Sequence, residues 1–486
     1  MRWLADSLGG AGLLGAMLGL FVLVALLVAP RSKRPSSALA WILVITFLPG
    51  LGLILFAVIG SPRLPAVRCQ RQQNMDELFN QRGRAVADPS GRPGGPSWLP
   101  SVARLNRRLG AMPLLDGNSA RLIADFENQL AALVNAVEQA ESYVHVEFFI
   151  LSYDDRTAVF FEALGRAADR GVVVRVLLDH LGSRRYPGYR RALAALDTHQ
   201  ISWQLMLPVQ PLRLRYQRPD LRNHRKLLVV DGTVAFVGSM NLIEPGYQQS
   251  GNHRRGLEWR DLMCEFEGTV VRAVDAVFAT DWYSETDEVL DGERPLPTGP
   301  PPGDLQAQLA PSGPAFRTEN NLALFNSLMY YAENRISITS PYFVPDESLL
   351  GAITTAARRG VAVELFVSEA ADQFLVFHAQ HSYYSDLLEA GVRIYLYPAP
   401  AILHAKHISI DDQVAVIGSS NMDIRSFQLD LELMVLVSGP SFVQQMRAVE
   451  DGYRAVSREL TVDTWASRTR RHKLVDDLSR LTSAVQ

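Results

Sequence analysis

The 486-residue chain holds only two cysteines, Cys69 and Cys264, far apart in the sequence. At most one disulfide is available and there is no CxxC pair. This excludes a disulfide scaffold and a thiolate zinc site. A basic excess is also missing, since 48 Lys and Arg stand against 51 Asp and Glu. A general nucleic-acid binder would carry a positive surplus, so no nucleic-acid partner is expected. Hydrophobic residues make up 48% and charged residues 20%, which excludes wholesale disorder. Charge is scarcest at one end. Residues 1–60 carry four basic side chains and one acidic one, whereas the other 426 residues carry 44 and 50.

Two long uncharged runs fill that end. Leu8 to Ala29 is 22 residues and Ala38 to Gly60 is 23. A helix of that length rises about 33 Å, enough for a hydrocarbon core of about 30 Å. Pro30-Arg-Ser-Lys-Arg-Pro35 between them is polar and short. Residues 1–60 are therefore expected to form a two-helix transmembrane hairpin, bent at Pro49. A cleaved signal peptide is disfavoured, because the first run is long, its start carries Asp6, and a second run follows at once. Gly15 and Gly19 make a GxxxG spacing, but glycine is common in membrane helices. The hairpin implies a multi-pass protein of the cell membrane. The scarcity of cysteine favours a cytosolic body.

The body reads as a tandem repeat of α/β lobes. Linkers are expected over 61–115, with the Pro/Gly-rich run Asp88–Pro100, and over 291–314. They flank a first lobe at 116–290 and a second lobe with a C-terminal tail at 315–486. In the first lobe a strand-like run from Ser142 is followed by a helical stretch and then by Gly171-VVVRVLLD. In the second, a run from Arg335 is followed by a helical stretch and by Gly360-VAVELFV. Alternating strands and helices predict a mixed sheet flanked by helices in each lobe. Duplicated lobes predict a site where they meet.

Each repeat carries the same seven-position motif. The first copy is His224-x-Lys226-x4-Asp231-x6-Gly238-Ser239-x-Asn241. The second is His404-x-Lys406-x4-Asp411-x6-Gly418-Ser419-x-Asn421. The first reads as a strand, an Asp231-Gly232 turn and a return strand. His and Lys at i and i+2 then share a face. Two lysines and two asparagines suit a phosphodiester, with Ser239 and Ser419 as further phosphate-binding groups. One imidazole can attack phosphorus while the other protonates the leaving oxygen. The catalytic set is His224, Lys226, Asp231, His404, Lys406 and Asp411, the two aspartates acting as supports at the hairpin turns. No metal or other cofactor is needed, because the lysines supply the positive charge. Each histidine also calls for a carboxylate on its other ring nitrogen. Asp261 is the candidate in the first repeat and Glu432 in the second.

This doubled motif resembles the phospholipase D superfamily across essentially the whole body. Ser340-PYFVPD, Leu388-EAGVRIYLYPA and NMDIRSFQLDLE, together with the N-terminal runs, are similar to bacterial cardiolipin synthases. Departures are Asp430 where the family usually has Asn, Gly-Ser at 238–239 where many have Gly-Gly, and Glu244-Pro-Gly-Tyr247. The resemblance implies phosphatidyl transfer from one phosphatidylglycerol to another, releasing glycerol, through a phosphohistidine. By analogy His224 is the nucleophile and His404 the acid, then the base. The matching carboxylate in the family is Glu432. The implied partners are phosphatidylglycerol and anionic membrane lipid. The alternative is a hydrolytic membrane-bound phospholipase D or another phosphodiesterase of the superfamily.

Two further features stand out. Residues 213–226 hold Arg213, Arg215, Arg218, Arg222, Arg225 and Lys226, interleaved with apolar residues, and are expected to rest on an anionic surface. His378 and His381 lie three apart on an expected helix with no acidic neighbour in sequence. They read as a helix surface and not as a metal pair. The sequence leaves the oligomeric state open.

Overall fold

The computed structural model describes residues 19, 23, 35–48, 50–60, 64–83, 95–210, 217–290 and 301–481. The body is organised around one continuous sheet. Its first-lobe strands are β1 (Leu115–Ile123), β2 (Tyr143–Phe148), β3 (Val173–Asp179), β4 (Ser202–Met206), β5 (Lys226–Val230), β6 (Val234–Gly238) and β7 (Met263–Glu267). The second lobe supplies β8 (Leu305–Ser312), β9 (Arg335–Thr339), β10 (Ala362–Ser368), β11 (Arg393–Tyr397), β12 (His407–Ile410), β13 (Val414–Gly418), β14 (Asp430–Ser438) and β15 (Arg458–Leu460).

Outward from the β1–β8 seam, one half runs β1-β7-β6-β5-β2-β3-β4 and the other β8-β14-β13-β12-β9-β10-β11, with β15 at the edge. The two orders correspond strand for strand. Within each half the three outer shared strands are parallel and the rest antiparallel. The seam itself is antiparallel. The repeat visible in the sequence is thus a repeat of topology.

The parallel strands need helical crossovers. Helix Ala158–Asp169 joins β2 to β3, and helix Glu347–Arg358 joins β9 to β10. Gly171 (φ 91°) and Gly360 (φ 95°) end these helices in the left-handed region, which a residue without Cβ enters freely. Helices cover both faces of the sheet. In the first lobe Val144, Val146 and Phe148 pack under Phe126–Glu138 and Ala158–Asp169. In the second, Ile336 and Ile338 pack under Asn320–Tyr331 and Glu347–Arg358. On the opposite face, Leu227, Val229, Ala307, Leu309, Leu433 and Val435 share one core with helices Val270–Thr286 and Pro440–Val456. Each such valine or leucine side chain, fully buried, contributes about 1.5–3 kcal/mol. Because this core draws on both lobes, it fixes them relative to each other.

Several sequence expectations need correction. The 61–115 segment is not all linker. It contains helices Ala66–Gly83 and Leu99–Gly110, and the latter buries Leu99, Val102 and Ala103 against the second lobe. Its apolar residues recur at helical spacing inside a basic, Pro-flanked stretch that masks them. The second lobe begins before 315, because β8 is a fully buried central strand. Most of the first apolar run lies outside the described residues, as does Pro49. The second run forms helices Pro35–Phe47 and Leu51–Ile59, separated at Leu48–Gly50. Among the described residues no helix is long and apolar enough to cross a membrane.

The motif aspartates lie at the far end of their hairpins, where Asp231 (φ 54°) and Asp411 (φ 49°) turn the chain. Asp231 accepts hydrogen bonds from the backbone N–H groups of Glu141, Ser142 and Tyr143, each at 2.8 Å. Asp411 accepts from Glu333, Asn334 and Arg335 at 3.2, 2.7 and 2.8 Å. Each therefore ties its hairpin to the start of β2 or β9. They are not catalytic groups. Asp231→Asn should lower stability by about 1–2 kcal/mol in urea unfolding, while leaving the turnover of folded protein within about twofold. A large turnover loss with unchanged stability would contradict this role.

Candidate active site

The two motif histidines come together because each is carried on a segment stitched to the opposite lobe. Arg222–Asn223 runs parallel to Asp430–Leu431, and the His224 N–H donates to the Leu431 carbonyl at 2.8 Å. Ala401–Leu403 runs parallel to Glu258–Arg260, and the His404 N–H donates to the Arg260 carbonyl at 2.8 Å. The side chains cross in the same way. His224 Nδ1 lies 3.0 Å from Glu432 Oε1, and His404 Nδ1 lies 2.6 Å from Asp261 Oδ1. The sequence located both carboxylates but paired them by repeat, whereas each serves the histidine of the other lobe. With both Nδ1 atoms held, the Nε2 atoms are left for the pocket.

Ser239 and Ser419 do not line the pocket. Ser239 Oγ donates to Asp261 Oδ1 at 2.7 Å, and Ser419 Oγ donates to Glu432. Both are fully buried, so they hold the carboxylates and are not phosphate ligands. Asn241 and Asn421 do line the pocket. Asn241 Nδ2 donates to the Tyr247 hydroxyl at 2.8 Å, and Asn421 Oδ1 is buried without a hydrogen-bond partner.

Lys226 and Lys406 are almost completely buried. Each ammonium donates to the carbonyl of its own motif histidine, at 2.6 Å for Lys406. Lys226 also stands over the Phe149 ring at 5.3 Å. Burial pushes Lys226 down to about 8 and lowers Lys406 as well. The same burial, with the lysines beside them, pushes both imidazoles down to about 4. Burial opposes ionisation of Asp261 and Glu432. Their histidine, lysine and serine partners outweigh it, holding Asp261 at about 2 and Glu432 below its ordinary value. At neutral pH both imidazoles are therefore neutral beside two ionised carboxylates. An arriving phosphodiester adds one negative charge, which one imidazole can meet by taking a proton.

The pocket has a volume of about 460 Å³, within the usual small-molecule range of about 300–1,000 Å³. The motif did not indicate its aromatic wall, formed by Phe149, Tyr186, Tyr247, Trp259 and Tyr342. Tyr247 and Tyr342 belong to the Glu244-Pro-Gly-Tyr247 and Ser340-PYFVPD stretches, which were the available signal. Asp430 also lines the pocket, 3.1 Å from Arg425 Nε. Burial raises its pKa to about 7 despite Arg425.

Two of the arginines flanking His224, Arg222 and Arg225, are internal. Arg222 pairs with Asp179 and Arg225 with Asp281, both buried, and Arg218 pairs with Asp220. Arg213 and Arg215 lie outside the described residues. Arg222 and Arg225 thus brace the His224 segment from inside. His378 and His381 do have an acidic neighbour, Asp476, which is 98 positions from His378 in sequence and 2.7 Å from its Nδ1. Sequence proximity could not show a partner delivered by a distant helix.

Comparison with known proteins identifies the family. The family model "Cardiolipin synthase, PLD-like domain" matches residues 133–282 and 326–451. "Phospholipase_D-nuclease N-terminal" matches 19–61. A cardiolipin synthase of Alkalihalophilus pseudofirmus is 30% identical over 96% of this chain and 92% of its own length. Cardiolipin synthase A of Serratia proteamaculans is 32% identical over 94% of each chain. The crystal structure of phosphatidylserine synthase from Haemophilus influenzae shares the fold, with a TM-score of 0.59 at 14% identity, covering 79% of this chain and 100% of that one. The fold and the doubled site define a phospholipase D-type phosphatidyltransferase. Within that class, the chain belongs to the cardiolipin synthase family.

Two outcomes follow from the site. Glu432→Gln should reduce the transfer rate about 100-fold or more by freeing the His224 ring, and should cost little further in a His224→Ala background. Additive losses would show that the carboxylate acts elsewhere. Binding of dimethyl phosphate, a phosphodiester with no ionisation of its own near neutrality, at pH 7 should be accompanied by uptake of about one proton, since both imidazoles start neutral and one must charge. Titration calorimetry in buffers of different ionisation enthalpy measures this, and zero uptake would contradict the charge assignment.

Proposed function

We propose that this chain makes cardiolipin by passing a phosphatidyl group between two phosphatidylglycerol molecules. The observation that carries the reading is the pair of imidazoles facing one pocket, each fixed by a carboxylate of the opposite lobe. His224 Nε2 attacks the phosphorus of the first lipid. His404, protonated on phosphate binding, gives its proton to the departing glycerol oxygen. A P–N bond forms, a P–O bond breaks, and glycerol leaves. His404, now neutral, takes a proton from the glycerol hydroxyl of a second phosphatidylglycerol, whose oxygen attacks phosphorus as the P–N bond breaks. Lys226, Lys406, Asn241 and Asn421 stabilise the charge on the equatorial oxygens. Assignment of His224 as the nucleophile rests on the family resemblance.

The chain is read as anchored in the cell membrane through residues 1–60, with its body on the cytosolic side. The N-terminal family match supports the anchor, as do Leu39, Leu43, Phe47 and Ile54, all largely exposed on the described helices. Cys69 and Cys264 are not bridged, in keeping with a reducing compartment.

Purified full-length protein in phosphatidylglycerol vesicles should form cardiolipin and free glycerol. Phosphatidic acid as the main product would establish the hydrolase instead. His224→Ala and His404→Ala should each lower transfer at least about 1,000-fold. An acid-labile phosphatidyl adduct should form in wild type and not in His224→Ala.

A further inference from the structure

The helix Arg470–Arg480 is amphipathic in the wrong sense for a helix facing water. Its buried residues are Asp476 and Ser479. Its leucines point outward, with Leu474 59% exposed, Leu478 55%, and Leu481, just past the helix, 80%. Positions 474, 478 and 481 follow the i, i+4, i+7 spacing of one helical stripe. A helix on a soluble surface turns that stripe inward.

Polar contacts hold it in this orientation. Asp476 accepts from His378 Nδ1 at 2.7 Å and pairs with the guanidinium of Arg468. His378 belongs to helix Phe374–Ser382, which lies against Arg470–Arg480. Arg468 is itself stacked over Trp465, and Arg480 lies over the Tyr383 ring at 4.5 Å. The Asp476 cluster thus pins the polar face inward and leaves the leucines in the open. With an arginine on one carboxylate oxygen and a histidine on the other, Asp476 acts as a clamp on the helix.

The apolar surface continues toward the pocket. Phe374 is 66% and Leu375 50% exposed, and their neighbours Asp372, Gln373 and Val376 line the pocket. Arg470, Arg471 and Lys473 are exposed along the leucine helix, against one exposed carboxylate, Asp477. Outward leucines flanked by basic side chains are the composition of a helix that lies in a lipid interface. The charge fits an anionic bilayer. It does not fit a symmetric contact with a second copy, which would bring the same arginines and lysine together.

We propose that Arg470–Arg480, with Leu481, Phe374 and Leu375, is an interfacial docking surface for an anionic lipid bilayer that sets the pocket mouth against the headgroup layer. The leucines and Phe374 enter the acyl boundary, and Arg470, Arg471 and Lys473 meet lipid phosphates. The surface is distinct from the N-terminal anchor and from Arg222 and Arg225, which are used internally.

Two measurements on the full-length protein test this. A nitroxide on Leu478→Cys, in a Cys69→Ser background, is examined in vesicles of phosphatidylglycerol and phosphatidylcholine. It should collide with oxygen in preference to a water-soluble nickel reagent, whereas a label on Glu162→Cys should show the reverse. Preference for nickel at 478 overturns docking. Dipolar broadening between labels points to a second copy, and shielding from both reagents points to cover by the chain's own segments; either overturns the lipid assignment. Oxygen preference that persists unchanged in pure phosphatidylcholine overturns the role of the basic residues. The second measurement rests on the transfer reading. Leu474→Gln, Leu478→Gln and Leu481→Gln together should lower transfer on vesicle phosphatidylglycerol at least about fivefold, while leaving transfer on monomeric short-chain phosphatidylglycerol within about twofold. Equal loss on both substrates overturns the proposal. If wild type transfers neither substrate, the reaction assignment fails, and the nitroxide result still decides the docking surface.

Discussion

The crossing of each histidine onto a carboxylate of the other lobe is the constraint on which the rest of the site depends. It requires His224 to be held on β14 and His404 on the Glu258–Arg260 strand. That in turn requires the two lobes to keep one relative placement, which the β1–β8 seam and the shared core of Leu227, Ala307 and Leu433 enforce. Neither lobe holds a complete site. Burying two lysines is costly, by several kcal/mol per ion, unless opposite charges lie nearby. Asp261 and Glu432 offset that cost while orienting the imidazoles. One pair of carboxylates therefore settles both the geometry of the imidazoles and the charge around them.

Much of this was legible in the sequence, for identifiable reasons. The doubled spacing from His224 to Asn241 and from His404 to Asn421 reports a hairpin, and a hairpin is a local structure. The α/β repeat was legible because RGVVVRVL and RGVAVELF mark the same crossover in each lobe. Asp261 and Glu432 could be located because each follows its motif at the matching place in the repeat, Glu432 on a strand and Asp261 between two. Which histidine each meets depends on how the lobes dock, and no local pattern encodes that. Ser239 and Ser419 were misassigned for a similar reason. A strand's alternation says which residues share a face, but not which face looks into a cavity. The aromatic wall of Tyr186, Tyr247, Trp259 and Tyr342 is assembled from three loops and a short strand and has no common spacing to detect.

Charge tells the same story at larger scale. A cluster of arginines in sequence suggests a basic patch on the surface. Arg222 and Arg225 instead lie inside, matched by Asp179 and Asp281 from distant elements. The outward leucines of the C-terminal helix are the reverse case. There the sequence looks like an ordinary polar helix, and only the partner of Asp476 reveals which way it faces.

Fusion of the two lobes in one chain has a further consequence. A symmetric homodimer must present the same residue at both equivalent positions. Here one imidazole rests on the shorter aspartate at 261 and the other on the longer glutamate at 432. The pocket is equally lopsided, with Tyr247 and Trp259 contributed from one lobe and Arg425 and Asp430 from the other. Duplication followed by divergence within a single polypeptide releases the two halves from identity. Each imidazole can then be tuned separately, one toward bond-making with phosphorus and the other toward ferrying protons.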